Sequence, residues 1–287
     1  MTGKLLSVLL IYFFSLTICS CEIINPAEPV PAYIHVDNIA LHTDTNTQGS
    51  SSSKIVDVWL YADNDPLGPY EMPATIPVLK EGTHIIKARG GIIVNGISAT
   101  RVYYPFYTFF DTTVTLTLGS VLKINPVVTY FSDVIFSLNE KFSGAGISIS
   151  TTSQSDTSLQ IVTDSADAFE NETAKVYLDS QHPVFECSSN SQLNLPVDGT
   201  AVYMELNYKT NTEFSVGIFA ITSSQVITIP VLNLRPSSEW KKVYVYLSDA
   251  ATSVQSALGF KPYIHMDRNS SIGDAELYFD NVKVLHY

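Results

Sequence analysis

The chain has 287 residues, with 28 acidic against 16 basic side chains and a net charge of −12. That balance excludes nucleic-acid binding, which needs a basic surface, and a basic helix lying on anionic lipid. The acidity is spread without a charge block, so it reads as a solvated surface. Of three cysteines, two, Cys19 and Cys21, fall at the end of the first apolar run, and Cys187 stands far from both in the chain.

Lys4 precedes an almost wholly apolar run, Leu5–Ile18. The run is the length of a secretory core and short of the roughly 20 residues that span a bilayer. It ends Ile18-Cys19-Ser20-Cys21. This resembles the bacterial lipobox: an aliphatic residue, a variable place, a small residue, then the acceptor cysteine. The resemblance implies a lipoprotein signal peptide over 1–20, diacylglycerol and palmitate on Cys21, and membrane attachment through that anchor. Glu22 follows, which favours the outer membrane over inner-membrane retention.

Residues 21–32 carry Pro26, Pro29 and Pro31. Such a segment favours extended conformations at about 3.1 Å per residue, so a dozen residues could reach about 37 Å from the anchor. Strands are then expected at 34–41 and 55–63. In the latter, Val58, Leu60 and Ala62 share one face and Asp57, Trp59 and Tyr61 the other. Turn signals fill Asp63–Tyr70, and 76–92 reads strand, turn at Glu81-Gly82, strand. No helix-period segment with caps occurs. Residues 33–131 are therefore expected to form a small antiparallel sandwich. The run from Val58 to Ile86 resembles PEGA-like or immunoglobulin-like modules, which implies a structural role for this part.

From 132 onwards, further strands alternate strictly. In Tyr203–Tyr208, Tyr203, Glu205 and Asn207 face one way; Met204, Leu206 and Tyr208 face the other. Tyr244 and Tyr246 share a face. The spacing predicts a jelly-roll β-sandwich over 132–287, so the fold class is all-β. The opening Asn139-Glu140-Lys141-Phe142, the late Trp240–Leu247 and the closing Ala275–Val284 resemble the galactose-binding-like jelly roll of many carbohydrate-binding modules. They also resemble Bacteroidetes-type lipoproteins that pair such a domain with a small β domain. The resemblance implies a non-catalytic glycan- or partner-binding module. It also implies a structural calcium joining the first and last strands, for which Glu140 and Asp280 are the matching ligands.

Candidate binding residues are the rings a pyranose could stack on: Trp240, Tyr244, Tyr246 and Tyr263, with Tyr208 beside them. Each has a plainer reading as strand core. Glu276 and Asp280 share a strand face with Tyr278 between. As a catalytic pair they fail: residues four apart on a strand lie about 13 Å apart, against about 5 Å in a retaining glycosidase. They read instead as a solvent-facing stripe. The histidines (His35, His42, His84, His182, His265, His286) form no HExxH, and no G-x-S-x-G elbow or phosphate-binding loop exists. No catalytic residue is assigned. Two functions stay open: an envelope-anchored glycan-binding or partner-binding lipoprotein, or a structural component of an envelope complex without glycan affinity. A glycoside hydrolase comes third.

Overall fold

A computed structural model describes residues 30–144, 146–164, 166–271 and 273–287, together with Gly3. Cys21 and the lipobox lie outside the described residues. Among those described, no helix is long and apolar enough to cross a membrane.

The first half is built from β1 (Ala32–Val36), β2 (Ala40–Leu41), β3 (Asp57–Ala62), β4 (Asp65–Glu71), β5 (Ala74–Val78), β6 (Gly82–Ile93), β7 (Arg101–Tyr103), β8 (Phe110–Leu116), β9 (Val121–Ile124) and β10 (Val127–Val128). One sheet runs β4-β3-β6-β7, with β8 also on β6. The other side carries β5-β1-β9 and the pair β10-β2. Val58, Leu60 and Ala62 point into the core, as their alternation predicts, against Ile34, Ile76 and Ile86.

Three details differ from the sequence expectation. The stretch read as a turn, Asp63–Tyr70, is mostly strand. Only Asp63 and Asn64 turn, both with positive φ, and the chain returns at once as β4. That two-residue geometry matches the twist of the strands it joins. Asp63 is held by the Ile85 amide at 2.9 Å and by His84 Nδ1 at 2.6 Å. The amide and the histidine, with Lys80, draw its carboxyl down to about 2. Next, β5 and β6 do not pair with each other; the Glu81-Gly82 turn carries the chain from one sheet to the other. Finally, the sandwich is mixed rather than antiparallel, because β1 pairs parallel with β9 and β2 with β10. Parallel neighbours need a long crossover, and the intervening residues of the domain supply it.

The second half holds β11 (Ile135–Glu140), β12 (Ile149–Thr151), β13 (Gln160–Val162), β14 (Thr173–Leu178), β15 (Val184–Ser189), β16 (Val202–Thr210), β17 (Phe214–Ile221), β18 (Val226–Leu234), β19 (Ser237–Tyr246), a short helix α1 (Ser248–Thr252), β20 (Gly259–Asp267) and β21 (Ala275–His286). One sheet runs β13-β14-β21-β16-β19, with β11 also on β21. The facing sheet runs β12-β15-β20-β17-β18. The chain is thus all-β, and its second half is a β-sandwich. Met204, Leu206, Leu277, Phe279 and Val284 from the first sheet meet Phe185, Val216, Ile218 and Ile264 from the second. Cys187 is free and fully buried there, and burial pushes its thiol far above the ordinary range.

The two halves share a core. The apolar cluster of the first sandwich includes Tyr203, Tyr244 and Leu285, all from the outer face of the β21-β16-β19 sheet. This explains why β16 and β21 are buried on both faces, although half of their residues are polar or aromatic.

Candidate functional site

The outer face of the β14-β21-β16-β19 sheet can be read as successive rows of side chains, fixed by strand register. Tyr203 lies opposite Tyr246 and Leu285, and Glu205 opposite Tyr244 and Lys283. Asn207 lies opposite Lys242 and Asp280, and Lys209 opposite Tyr278, which is opposite Lys175. The first domain covers the leading rows and leaves the last ones open.

Beneath the first domain sits a charged cluster. Glu205 and Lys283 are 0 % exposed and Lys242 8 %. Tyr104 and Tyr130 donate hydroxyls to Glu205 Oε1 at 2.8 and 3.0 Å. The Lys242 ammonium is 2.9 Å from Glu205 Oε2. Lys283 donates to the Ser50 carbonyl at 2.7 Å and lies 5.2 Å from the Tyr130 ring centre. Around this, Tyr104 meets Tyr107, Tyr203 and Tyr244 edge-on at 4.7 to 5.2 Å. Burial alone would raise the Glu205 carboxyl, but Lys242 and Lys283 beside it hold it below the ordinary value. Burial lowers Lys283 to about 7, against the opposing pull of Glu205. Tyr104, Tyr107 and Tyr130 are raised well above their usual range, first by burial.

Asp280 lies in the next row, 1 % exposed, accepting hydrogen bonds from Thr173 Oγ1 at 3.0 Å and the Asn281 amide at 2.6 Å. Burial raises its carboxyl to about 7. Asp280 therefore keeps in the fold a proton that the unfolded chain releases near 3.8. Its contribution to stability is complete at the acid end and is lost as pH rises through about 7. Lys283 does the reverse: the unfolded chain holds its proton up to 10.5, so its contribution recovers as pH climbs from about 7 to 10.5. Urea unfolding measured across pH is expected to show these two opposed slopes. Asp280→Asn should flatten the acid limb and leave the alkaline limb; an unchanged acid limb would refute the assignment.

The open rows form a groove of about 540 Å³, whose lining includes Asp167, Lys209, Asn211, Ser238, Glu276 and Tyr278. Tyr278, only 5 % exposed, is its floor. Lys209 and Lys175 place ammonium groups 4.5 and 4.9 Å from the Tyr278 ring centre. Lys175 pairs with Glu276 at 3.2 Å and Lys209 with Asp167 at 3.6 Å. The Tyr278 hydroxyl donates to Asp167 Oδ2 at 3.3 Å. Trp240 stands at the groove's edge, half-buried, with its ring 6.5 Å from Tyr278 and 5.1 Å from Phe169.

The four rings expected to bind ligand are thus separated. Trp240 stands beside the groove, its ring 6.5 Å from that of Tyr278. Tyr244 is 1 % exposed inside the domain interface, where its hydroxyl meets Tyr107 and the Lys54 amide. Tyr246 packs edge-on against Tyr203 at the same interface. Tyr263 belongs to the opposite sheet and stacks on Phe219 at 4.5 Å. Gly217 makes room for it there, since a Cβ at that position would come within 2.8 Å of the Tyr263 ring. Tyr208 turns into the jelly-roll core against Phe214. Of the expected rings only Trp240 lies near Tyr278, Lys209, Asp167 and Glu276, which meet at the groove. Glu276 and Asp280 are not a solvent-facing stripe: Glu276 is half-buried in the groove wall and Asp280 lies beneath the surface.

Glu140 and Asp280, the residues matched to calcium, are each engaged by protein donors. Glu140 accepts the Phe142 amide at 2.6 Å through Oε1 and the Ser148 amide through Oε2. All four carboxylate oxygens of the pair therefore face protein donors. Among the described residues, no group of three or more His, Cys, Asp or Glu side chains is placed to hold a metal.

No protein-family model and no curated protein matches the chain. Among solved structures it is similar to a family 29 carbohydrate-binding module from Piromyces equi (14% identity, covering 54% of this chain and 92% of that one, TM-score 0.37). It is also similar to the family 30 module of a cellulosomal cellulase of Clostridium thermocellum (14%, 53% and 96%, TM-score 0.36). A third likeness is to a structure described as carbohydrate-binding modules of the β-sandwich superfamily with promiscuous specificity (12%, 91% and 100%, TM-score 0.42). Likenesses this distant are to the β-sandwich alone and carry no argument about ligand.

Proposed function

We propose that the protein is a non-catalytic glycan-binding protein of the cell envelope, tethered to a membrane through lipid on Cys21. The observation that supports it is the groove, floored by Tyr278 and lined by Lys209, Asp167 and Glu276, with Lys175 and Trp240 standing beside it. Sugars present apolar ring faces and hydroxyl rims, and this combination answers both. The groove carboxylates are each engaged by a lysine, which suits orientation of a ligand rather than acid–base chemistry. The lipobox reading of Ile18-Cys19-Ser20-Cys21 supports the anchor.

A glycan array followed by calorimetric titration tests the binding, using the chain without its first 21 residues, which keeps every described strand. Trp240→Ala is expected to weaken binding by about 10- to 100-fold, the worth of one buried aromatic side chain. Leu79→Ala, on an exposed residue of the first domain, should leave it unchanged. Flat traces with every glycan would remove the reading and favour the structural-component alternative, which cross-linking in cells would then pursue. Mass spectrometry of the mature protein tests the anchor, and an unmodified amino terminus would remove it.

A further inference from the structure

We propose that the groove selects uncharged glycans, gripping neighbouring hydroxyl pairs, and rejects acidic sugars. This rests on the glycan reading above and narrows it to a ligand class. The groove's cations are already answered. Lys175 has Glu276 at 3.2 Å and Lys209 has Asp167 at 3.6 Å, so two ammonium groups face two carboxylates. A uronic acid reaching either lysine would bring its carboxylate beside the one already paired there, in a half-buried wall. Like charges so placed repel strongly.

The wider field acts in the same direction. The chain carries a net charge of −12, and such a field slows the approach of an acidic chain and raises the local level of cations instead.

The pairing that repels acids suits hydroxyls. Each sugar hydroxyl donates one hydrogen bond and accepts another. An ammonium beside a carboxylate offers the complementary set to two adjacent hydroxyls; one such pair lines the groove, the other stands at its wall, and Ser238 lies beside them. Lys175, Glu276 and Lys209 sit on β14, β21 and β16, Asp167 on the loop before β14, and Trp240 on β19. At about 4.8 Å per strand spacing, the four strands span about 14 Å, so the ligand lies across the strands as a short stretch of sugars.

The test is titration of the chain lacking residues 1–21 with three kinds of probe. Cellohexaose, mannohexaose and xylohexaose are neutral, hexagalacturonate is acidic and hexaglucosamine is basic. Binding of at least one neutral probe is expected, with affinity changing less than about twofold between about 50 and about 500 mM salt, because no net charge is there to be screened. Hexagalacturonate should give no heat. Tighter binding of the acidic or the basic probe, or a steep loss of affinity with salt, would overturn the inference and leave the glycan reading standing. No binding to any probe or array glycan would bring down the glycan reading itself. The double variant Asp167→Asn, Glu276→Gln is the second arm. With both lysines uncompensated it should acquire salt-sensitive binding of hexagalacturonate; a folded double variant that still ignores that probe would show that the carboxylates are not what excludes acids.

Discussion

Glu205→Gln is expected to destabilise the protein by about 3–5 kcal/mol, read as a lower urea midpoint at constant slope, because it removes one partner from a buried ion cluster. The substitution keeps the side chain's shape. It leaves Lys283, fully buried, and Lys242, nearly so, without the carboxylate that compensates them. It also leaves the Tyr104 and Tyr130 hydroxyls with an amide oxygen where they had a carboxylate. The cost of the single change is the cost of stranded charge, not the net worth of the cluster. Replacing the whole set, Glu205→Leu with Lys242→Met and Lys283→Met, should therefore recover most of the loss, since well-packed apolar groups of similar volume often equal a buried ion cluster. A triple variant as unstable as the single one would mean that the cluster is itself the source of stability.

The second large effect concerns the division of the chain. The jelly roll made alone, residues 132–287, is expected to lose more than about 5 kcal/mol or to fail to fold. Tyr203, Tyr244 and Leu285 would all be bared, each giving up about 1.5–3 kcal/mol of burial. The lysines of the interface would gain water but lose Tyr130 and the Ser50 carbonyl that now hold Lys283. A small domain has little to spare against such a loss. By the same reasoning the intact chain should melt in one transition, with calorimetric and van't Hoff enthalpies equal. Two separate transitions would show that the shared core does not couple the halves. The first domain is on this account a structural partner of the jelly roll.

Much of this architecture is legible in the sequence, for identifiable reasons. Alternation of period two places Val58, Leu60 and Ala62 inside and divides Met204 and Leu206 from Tyr203 and Glu205, because side chains leave a strand on opposite sides whatever the sheet around it. What alternation cannot say is whether the second side meets water or another domain. Tyr203, Glu205 and Asn207 share a face by alternation, and the structure buries all three, Tyr203 in the core of the first domain. The groove was hidden for a related reason. Lys175, Lys209 and Tyr278 lie far apart along the chain and become neighbours only through the register of β14, β21 and β16. The one signal available was Tyr278, sharing a strand face with Glu276. The strand β18 escaped notice because Pro230 interrupts its pattern, and it occupies a sheet edge, where a missing amide is tolerated.

The most direct test of the central claim is the position of a bound glycan. Amide chemical shifts of the isotope-labelled protein, followed during titration with the best ligand from the array, are predicted to move at Lys175, Lys209, Trp240 and Tyr278 and to stay fixed at Tyr244 and Tyr263. Shifts centred on the opposite sheet around Tyr263, or on the first domain with the groove silent, would contradict the account.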